Sequence, residues 1–327
     1  MIVTRAPLRL SIGGGGTDLP FYSSKFGTSL VTAAIDKYIY IILERRDFYD
    51  EYLIRYSQTE KVKDRKDIKH TRVKAAFEYL DIKEPIEITS IADVPSGTGL
   101  GSSSAYLVAL LKALHTYKRE HISNKKLAEE ACDIEINILK EPIGKQDQYA
   151  SAFGGIINLE IDKLGNVVVS PLNLSYSTLE ELEQNTLMFS TGISRAASEI
   201  LTEQKKQAES DEEKMKQMHI IKDIGSEIKK ALEQGETRKF GQWLNVHWET
   251  KKKFGKMSSS DIDKYYETAL KNGAIGGKLI GAGGGGFLLF YCEANKRQLR
   301  EAISKLGLKE LLFKFDTEGC KVLYEGR

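Results

Sequence analysis

Three glycine-rich segments constrain the fold of this chain more than any other feature. They are GGGGT at 13–17, SGTGLGSSS at 96–104 and GAGGGG at 281–286. Glycine runs are often flexible linkers. These runs, however, lie between strongly apolar segments, with LRLSI before the first and KLIGA and FLLFY around the third. We therefore expect backbone that approaches a ligand closely.

The middle glycine segment has the order strand, glycine loop, helix. PIEITSIADV at 85–94 is typical of a strand, and leucines at i, i+3, i+4 and i+7 from Leu107 mark one buried helical face. Amide groups at such a helix start, together with the helix dipole, favour phosphate binding. Ser102 alone would indicate only a helix cap, but three serines at 102–104 indicate a further ligand, a magnesium ion bound to a nucleotide.

Two familiar nucleotide-binding motifs do not fit the sequence. A GxxxxGK[ST] loop is excluded because Leu279 follows Gly277 and Lys278, and Asn272 stands where that motif requires its first glycine. A GxGxxG match begins at Gly281, but the strand-like FLLFY follows it, near the end of the chain. A dinucleotide-binding domain places this motif after its first strand and before a helix. The sequence therefore predicts neither of these folds.

The order of the predicted elements indicates the fold class. Strands are predicted at 28–46 and 51–57 and again at LLFKF and CKVLYE near the end, with charged helices between 194 and 253. Because strands and helices mix without regular βαβ alternation, we expect an α+β fold. Pro171 and the polar stretch that follows predict a boundary between two domains, residues 1–175 and 176–327.

Charge and composition exclude several classes of protein. Lysine and arginine total 48 against 46 aspartates and glutamates, well dispersed, so we expect neither a nucleic-acid nor a membrane partner. The longest basic run, Lys251-Lys252-Lys253, is interpreted as a solvated helix face. The three cysteines lack metal-site spacing and are expected to be reduced packing residues. No apolar run approaches ~20 residues and the N-terminus lacks a signal-peptide core, which favours a cytoplasmic protein.

The three glycine motifs also carry a family resemblance. APLRLSIGGGGTDLP (6–20), DVPSGTGLGSSSA (93–105) and GGKLIGAGGGGFLLFY (276–291) resemble, in order and spacing, the three motifs of the GHMP kinases. The resemblance spans nearly the whole chain. It implies ATP-dependent phosphoryl transfer to a hydroxyl group. It also implies an N-terminal domain similar to ribosomal protein S5 domain 2, a ferredoxin-like C-terminal domain, and ATP between the two.

A narrower resemblance suggests the substrate. GGGGTDLP, PIGKQDQYASAFGG and STGISRAASEIL are similar to segments of the bacterial GHMP kinases that phosphorylate D-glycero-alpha-D-manno-heptose 7-phosphate at C1. That reaction serves nucleotide-activated heptose for capsule or lipopolysaccharide synthesis. A fucokinase-like or other C1 sugar kinase of the family is the alternative. A non-catalytic regulator that binds sugar and ATP is the rival from another class. A monomer and a homodimer are both compatible with the sequence.

The resemblance implies a catalytic pair. Phosphoryl transfer to a hydroxyl needs a group that receives the hydroxyl proton. Asp147, in KEPIGKQDQYA, matches the family's acidic base, and Arg9, in APLR, matches the cation beside it. A permanent cation there would keep the carboxylate ionised. From the residues alone, Asp147 would equally fit a helix cap and Arg9 an outward strand residue.

The resemblance also implies a nucleotide and metal site. Ser103 and Glu135 match positions that hold Mg²⁺, although SSSA in place of SSAA makes Ser104 a competitor of Ser103. Oxygen ligands suit that ion. The residues expected around the phosphates of ATP are Pro95, Ser96, Gly97, Thr98, Gly99, Leu100, Gly101, Ser102, Ser103 and Ser104.

A small-molecule sugar, with or without a phosphate, is the expected acceptor. Asp18 matches the family's sugar-contacting acid, with an aspartate at a turn as the alternative. Arg195 is a candidate for binding a substrate phosphate, as are Lys25 and Lys145. The full set of expected substrate-binding residues is Gly14, Gly15, Gly16, Thr17, Asp18, Arg195, Gly283, Gly284 and Gly285.

Overall fold

The computed structural model describes residues 1–193, 197–254 and 257–326. Its strands are β1 Ile2–Gly13, β2 Thr28–Arg45, β3 Tyr52–Arg55, β4 Thr59–Val62, β5 Ile86–Ala92, β6 Ile156–Ile161, β7 Val167–Pro171, β8 Thr186–Ser190, β9 Gly276–Leu279, β10 Phe287–Tyr291, β11 Lys309–Glu310 and β12 Lys321–Glu325. Its helices are α1 Pro20–Phe26, α2 Thr71–Tyr79, α3 Ser102–Tyr117, α4 Asn124–Cys132, α5 Gln146–Phe153, α6 Tyr176–Asn185, α7 Ala197–Ser210, α8 Glu212–Glu233, α9 Thr237–Lys252, α10 Ser260–Lys271 and α11 Lys296–Ser304.

The long strand β2 organises the first sheet. It pairs antiparallel with β1 from Ile2 opposite Leu43 to Gly13 opposite Val31. Its other edge is shared by two antiparallel partners, β6 along its first part and β5 along its last part. The β-branched and aromatic residues of β2 favour such an extended strand. Helix α3 packs against both β1 and β2, which fixes the glycine loop before α3 next to β1.

The second sheet is antiparallel, in the order β11-β8-β10-β9. Strand β10, FLLFY, is buried at every residue because both of its faces are covered. Leu288 and Phe290 pack with residues of α10 and α11, whereas Phe287 and Leu289 join the core that contains β1 and β2. One continuous apolar core therefore connects the two sheets.

The α+β class is confirmed, and some local predictions are wrong. LLFKF is not a strand: β11 covers only residues 309–310, and Phe315 forms a single bridge to Ile35. Part of the polar stretch after Pro171 is helix α6, whose first turn is capped by Ser175. Among the described residues, no helix has the length and apolarity needed to cross a membrane. Cys132, Cys292 and Cys320 are buried and unpaired, as predicted.

The last strand returns to the first sheet. Strand β12 pairs antiparallel with β1, although the predicted second domain, 176–327, contained it. Periodicity identifies a strand but not its partner, so the pairing of β12 with β1 could not be predicted from the sequence. The division at residue 175 stays a prediction, and β12 is the strand that crosses it.

Two of the glycine loops touch. Gly281 has a φ of +90°, and a Cβ on it would lie 2.6 Å from Gly99 Cα. This close approach joins the loop before α3 to the loop between β9 and β10. The contact requires glycine for two reasons, the left-handed backbone and the absence of a side chain.

We predict that Gly281→Ala destabilises the protein more than Gly307→Ala does. Gly307 has a similar φ of +86°, but nothing lies within 4 Å of the position of its Cβ, so it isolates the backbone strain. The collision with Gly99 should lower the free energy of unfolding by about 1–3 kcal/mol beyond that strain. Urea denaturation followed by circular dichroism measures the difference. Equal losses for both variants would show that the loop contact contributes nothing.

Candidate active site

The three glycine segments line one cavity of about 320 Å³. The first segment contributes Gly15 and Gly16, the second contributes glycines and serines between 97 and 104, and the third contributes Gly281, Gly283 and Gly285. Segments from the start, middle and end of the chain thus surround a single concave site, the usual form of a small-molecule site.

Arg9 and Asp147 form a bidentate ion pair in this cavity. Arg9 Nε and Nη2 donate to the two Asp147 carboxylate oxygens, each at 2.7 Å, and Nη1 donates to Gly99 O at 2.6 Å. Two parallel charge-assisted bonds fix the plane of the carboxylate. Arg9 is 7% exposed, whereas the Asp147 side chain remains 27% exposed towards the cavity. The structure thus favours the paired carboxylate over the alternative interpretation of Asp147 as a helix cap.

Asp18 connects the first glycine segment to the start of α5. Its Oδ1 accepts from Gly16 N at 3.2 Å and its Oδ2 from Gln146 N at 3.0 Å. Burial raises the pKa of Asp18; the Gln146 bond opposes this shift and the charge of Asp147 adds to it. A Cβ on Gly144 would lie 2.0 Å from Asp18 Oδ2, so α5 meets this carboxylate only with glycine there. Asp18 lines the cavity as well, and its contact with a sugar stays a prediction.

Glu135 lies on a π-helical turn, Asp133–Ile138, that continues α4. Such turns often occur at functional sites. The carboxylate is fully buried: Oε1 accepts from Arg72 Nε at 2.9 Å, and Oε2 accepts from Ser104 Oγ at 2.7 Å and Gln148 Nε2 at 2.5 Å. Burial raises the pKa of Glu135, and the Arg72 charge opposes that shift.

These contacts bear on the predicted magnesium ligands. Ser104 is the serine that binds Glu135, whereas Ser103 is exposed at the cavity wall. An ionised carboxylate offers about four lone pairs, and three of those of Glu135 accept hydrogen bonds. The described residues contain no group of three or more His, Cys, Asp or Glu arranged to hold a metal. The donors therefore fit an ion held mainly by ligand phosphates and water, as Mg²⁺ commonly is.

A second cavity of about 370 Å³ adjoins the first. Its walls include Tyr56, His70 and Tyr106, and the last two rings stack with centroids 4.8 Å apart. Arg72 and the serines at 102 and 103 line both cavities and therefore stand at their junction. A ligand with an aromatic ring at one end and an anionic chain in the middle would fit the two cavities together.

Several predicted residues lie away from the first cavity. Thr17 is fully buried, and its hydroxyl donates to Gly14 O at 2.7 Å and contacts the Thr28 hydroxyl, so it closes a turn. Leu100 is a core residue, although its carbonyl accepts from Arg9 N at 3.0 Å. Gly284 donates its amide to Met257 O. These residues were predicted as ligand contacts because they stand inside motifs, but some residues of a motif only hold the loop backbone in place.

Two of the three predicted phosphate-binding cations lie apart from the cavity. Lys25 is exposed, and Lys145 donates to Gly165 O; neither lines the cavity. Arg195 lies outside the described residues. Among the other nucleotide-loop residues, Ser96 lines the second cavity and Thr98 Oγ1 donates to Pro95 O at 3.1 Å.

Sequence reasoning missed two cations of the cavity, Arg72 and Lys251. The interpretation of Lys251 as part of a solvated helix face is wrong: it is 6% exposed, lines the cavity and donates to Gly281 O at 2.7 Å. Burial lowers the pKa of Lys251 to about 8, and the Arg9 charge adds to the effect. A basic run on a helix does not reveal which of its members points inwards, and Arg72 stands in no motif.

Family models match both halves of the chain. The model described as GHMP kinases N terminal domain matches residues 70–155, and the model described as GHMP kinases C terminal matches residues 228–309. These matches contain the middle glycine segment with Asp147 and the third glycine segment.

The chain is similar to proteins that are named as sugar kinases. It is 33% identical over 338 aligned positions to D-glycero-alpha-D-manno-heptose 7-phosphate kinase of Campylobacter jejuni, covering 98% of both chains. It is 26% identical to L-fucokinase/L-fucose-1-P guanylyltransferase of Bacteroides fragilis, over 92% of this chain and 35% of that protein. The crystal structure of a D-glycero-D-manno-heptose 1-phosphate kinase from Bacteroides thetaiotaomicron superposes with a TM-score of 0.84 at 26% identity, covering 100% of both chains.

Arg72 generates a prediction about nucleotide binding. Arg72→Met keeps much of the side-chain length but removes the cation at the junction of the two cavities, so MgATP should bind about 10- to 100-fold more weakly. Isothermal titration calorimetry measures the affinity. Arg55→Met is the control, because Arg55 is exposed, pairs with Glu87 and lies outside both cavities. Equal affinities in the two variants would contradict a phosphate-binding role for Arg72.

Proposed function

The chain belongs to the GHMP kinase family, and we propose that it phosphorylates the C1 hydroxyl of D-glycero-alpha-D-manno-heptose 7-phosphate with ATP. It is an ATP-dependent kinase with an alcohol group as acceptor. The proposed product is the 1,7-bisphosphate, a precursor of nucleotide-activated heptose for surface polysaccharide synthesis. A cytoplasmic location, where ATP is available, belongs to this proposal.

The observation that carries the catalytic part of the proposal is the Arg9–Asp147 pair. Arg9 fixes both carboxylate oxygens of Asp147 and leaves their remaining lone pairs directed towards the cavity. A sugar hydroxyl placed there would transfer its proton to Asp147 as its oxygen bonds to the γ-phosphorus of ATP and the bond from that phosphorus to the leaving ADP breaks. General-base assistance of this kind contributes about 10²- to 10⁴-fold to a rate.

The two adjoining cavities support a path for ATP. The aromatic walls of the second cavity suit the adenosine, and the polyphosphate would pass Arg72 into the glycine loop before α3. Helix α3 begins at Ser102, so its first amide groups and its dipole face that loop. Residues 96–104 would then surround the phosphates.

We also propose that Ser103 and Glu135 hold Mg²⁺ together with the phosphates. Ser103 offers an exposed hydroxyl, and Glu135 retains one lone pair beside Arg72. The ion would neutralise charge on the phosphates of ATP. The chain itself contributes Arg72, the amide groups of the glycine loop and the base Asp147.

The substrate assignment rests on the relatives. The full-length relative at 33% identity acts, by its name, on heptose 7-phosphate, and the structural neighbour is named for a heptose phosphate as well. Asp18 supports a sugar acceptor, since a buried carboxylate in the same cavity can accept hydrogen bonds from sugar hydroxyl groups. The relative named L-fucokinase/L-fucose-1-P guanylyltransferase, matched at lower identity, keeps phosphorylation of an unphosphorylated sugar at C1 as the alternative.

The test is ADP release from MgATP with a panel of acceptors: heptose 7-phosphate, heptose 1-phosphate, unphosphorylated heptose, fucose, mannose, galactose and mevalonate. We predict turnover with heptose 7-phosphate, with kcat/KM at least about 100-fold above that of unphosphorylated heptose, because a site built for a polar group rejects the analogue that lacks it. Preferred turnover of fucose would establish the alternative. Preferred turnover of heptose 1-phosphate would show that a hydroxyl other than the one at C1 is phosphorylated. No ADP release with any acceptor of the panel would favour a regulator.

A further inference from the structure

Two buried lysines lie behind the third glycine segment. Lys251, in the last turn of α9, is 6% exposed, and Lys278, in β9, is 2% exposed. Lys251 Nζ donates to Gly281 O at 2.7 Å, and Lys278 Nζ donates to Ser11 O at 2.8 Å. Lys278 thereby connects β9 to β1, and Lys251 alone of the two lines the cavity.

Neither lysine has an acidic partner in the part of the chain that the structure describes. Both ammonium groups bond to neutral carbonyl oxygens, and the charged groups that influence them most are cations, Arg9 for Lys251 and Lys251 for Lys278. An ammonium group buried without an anion is unfavourable. Lysine has three donors, and the structure shows one acceptor for Lys251. The cavity is therefore prepared for a negative charge that a ligand must bring.

The position of Lys251 indicates where that charge belongs. Gly281, whose carbonyl Lys251 contacts, packs against Gly99, and Gly99 O accepts from Arg9 Nη1 at 2.6 Å. Arg9 in turn holds Asp147. The ammonium group of Lys251 thus lies across the contact between the two glycine loops from the catalytic pair, close enough for the Arg9 charge to act on it.

On the basis of the proposed function, we propose that Lys251 is a further catalytic residue that donates a hydrogen bond to a non-bridging phosphoryl oxygen beside Asp147. Because Arg9 is close to Lys251, the phosphoryl group in transfer is the favoured acceptor of this hydrogen bond. The phosphate of the sugar offers the same chemistry, so the experiment must separate these two sources. Lys251 forms no covalent bond in this role; it stabilises charge.

The experiment compares Lys251→Met with Lys252→Met in the full-length enzyme. Lys252 is the adjacent lysine, pairs with Glu249 at 2.8 Å and does not line the cavity. If Lys251 contacts the phosphoryl group in transfer, Lys251→Met should lower kcat about 100- to 1000-fold. The KM values of ATP and of heptose 7-phosphate should change little. Contact with the sugar phosphate predicts instead a rise of at least about 10-fold in the KM of heptose 7-phosphate alone. Kinetics equal to those of Lys252→Met would overturn the proposal.

A second readout requires no sugar. Fluoroberyllate added to MgADP mimics the γ-phosphoryl group, and calorimetry measures how much it tightens MgADP binding. The tightening should be lost in Lys251→Met if the phosphoryl group in transfer is the target, while binding of MgADP itself confirms that the variant is folded. A wrong choice of sugar leaves this result unaffected, so failure of the substrate proposal and failure of this one are distinguishable.

The charge of Lys251 also predicts a pH dependence that a purely structural residue would not give. Arg9, Lys278 and His247 surround it, with Asp147 beyond Arg9. The protonated form is the active one, and the pKa of Lys251 is about 8, so kcat/KM should fall as the pH rises above about 8. Lys251→Arg should retain activity and remove this decline, because a guanidinium group stays charged. An unchanged decline in Lys251→Arg would contradict the role.

Discussion

The ion pair between Arg9 and Asp147 is the interaction on which the site depends. Arg9 joins three separate parts of the chain: its own strand β1, the glycine loop through Gly99 O, and helix α5 through Asp147. Only Arg9 is buried, and the Asp147 side chain is 27% exposed, so removing one member should cost less than a fully buried pair does, which is about 3–5 kcal/mol. The same contacts that position the base therefore also hold the phosphate loop against the first sheet.

The other cations of the cavity differ in whether a protein carboxylate balances their charge. Arg72 is paired with Glu135, and Arg9 with Asp147, so these cations are compensated within the protein. Lys251 contacts only a carbonyl in the described structure. A kinase cleft gains several negative charges when its nucleotide binds. It loses them again when the products are released. An uncompensated Lys251 in the cavity, close enough to feel the Arg9 charge, is consistent with that cycle, since the ligand supplies the missing charge.

The fold class and the place of the site follow from local patterns in the sequence. The glycine segments, the strand before the middle one and the α3 helix face were all readable, and a motif resemblance pointed to Arg9 and Asp147. The rest depends on long-range packing. The pairing of β12 with β1, the burial of Lys251 within a basic run and the meeting of Arg72 with Glu135 each join residues far apart in the chain. Thr17 and Leu100 show the converse, because their motifs hold residues that only support the loops.

The most direct test of the account replaces the base while keeping its shape. Asp147→Asn cannot accept the hydroxyl proton, so ADP release with heptose 7-phosphate should fall at least about 100-fold. Calorimetry on the same sample should show MgATP affinity within about threefold of the unaltered protein, with an unchanged circular dichroism spectrum. Turnover within tenfold of the unaltered enzyme would contradict the assignment of Asp147 as the base and with it the catalytic role of the Arg9–Asp147 pair.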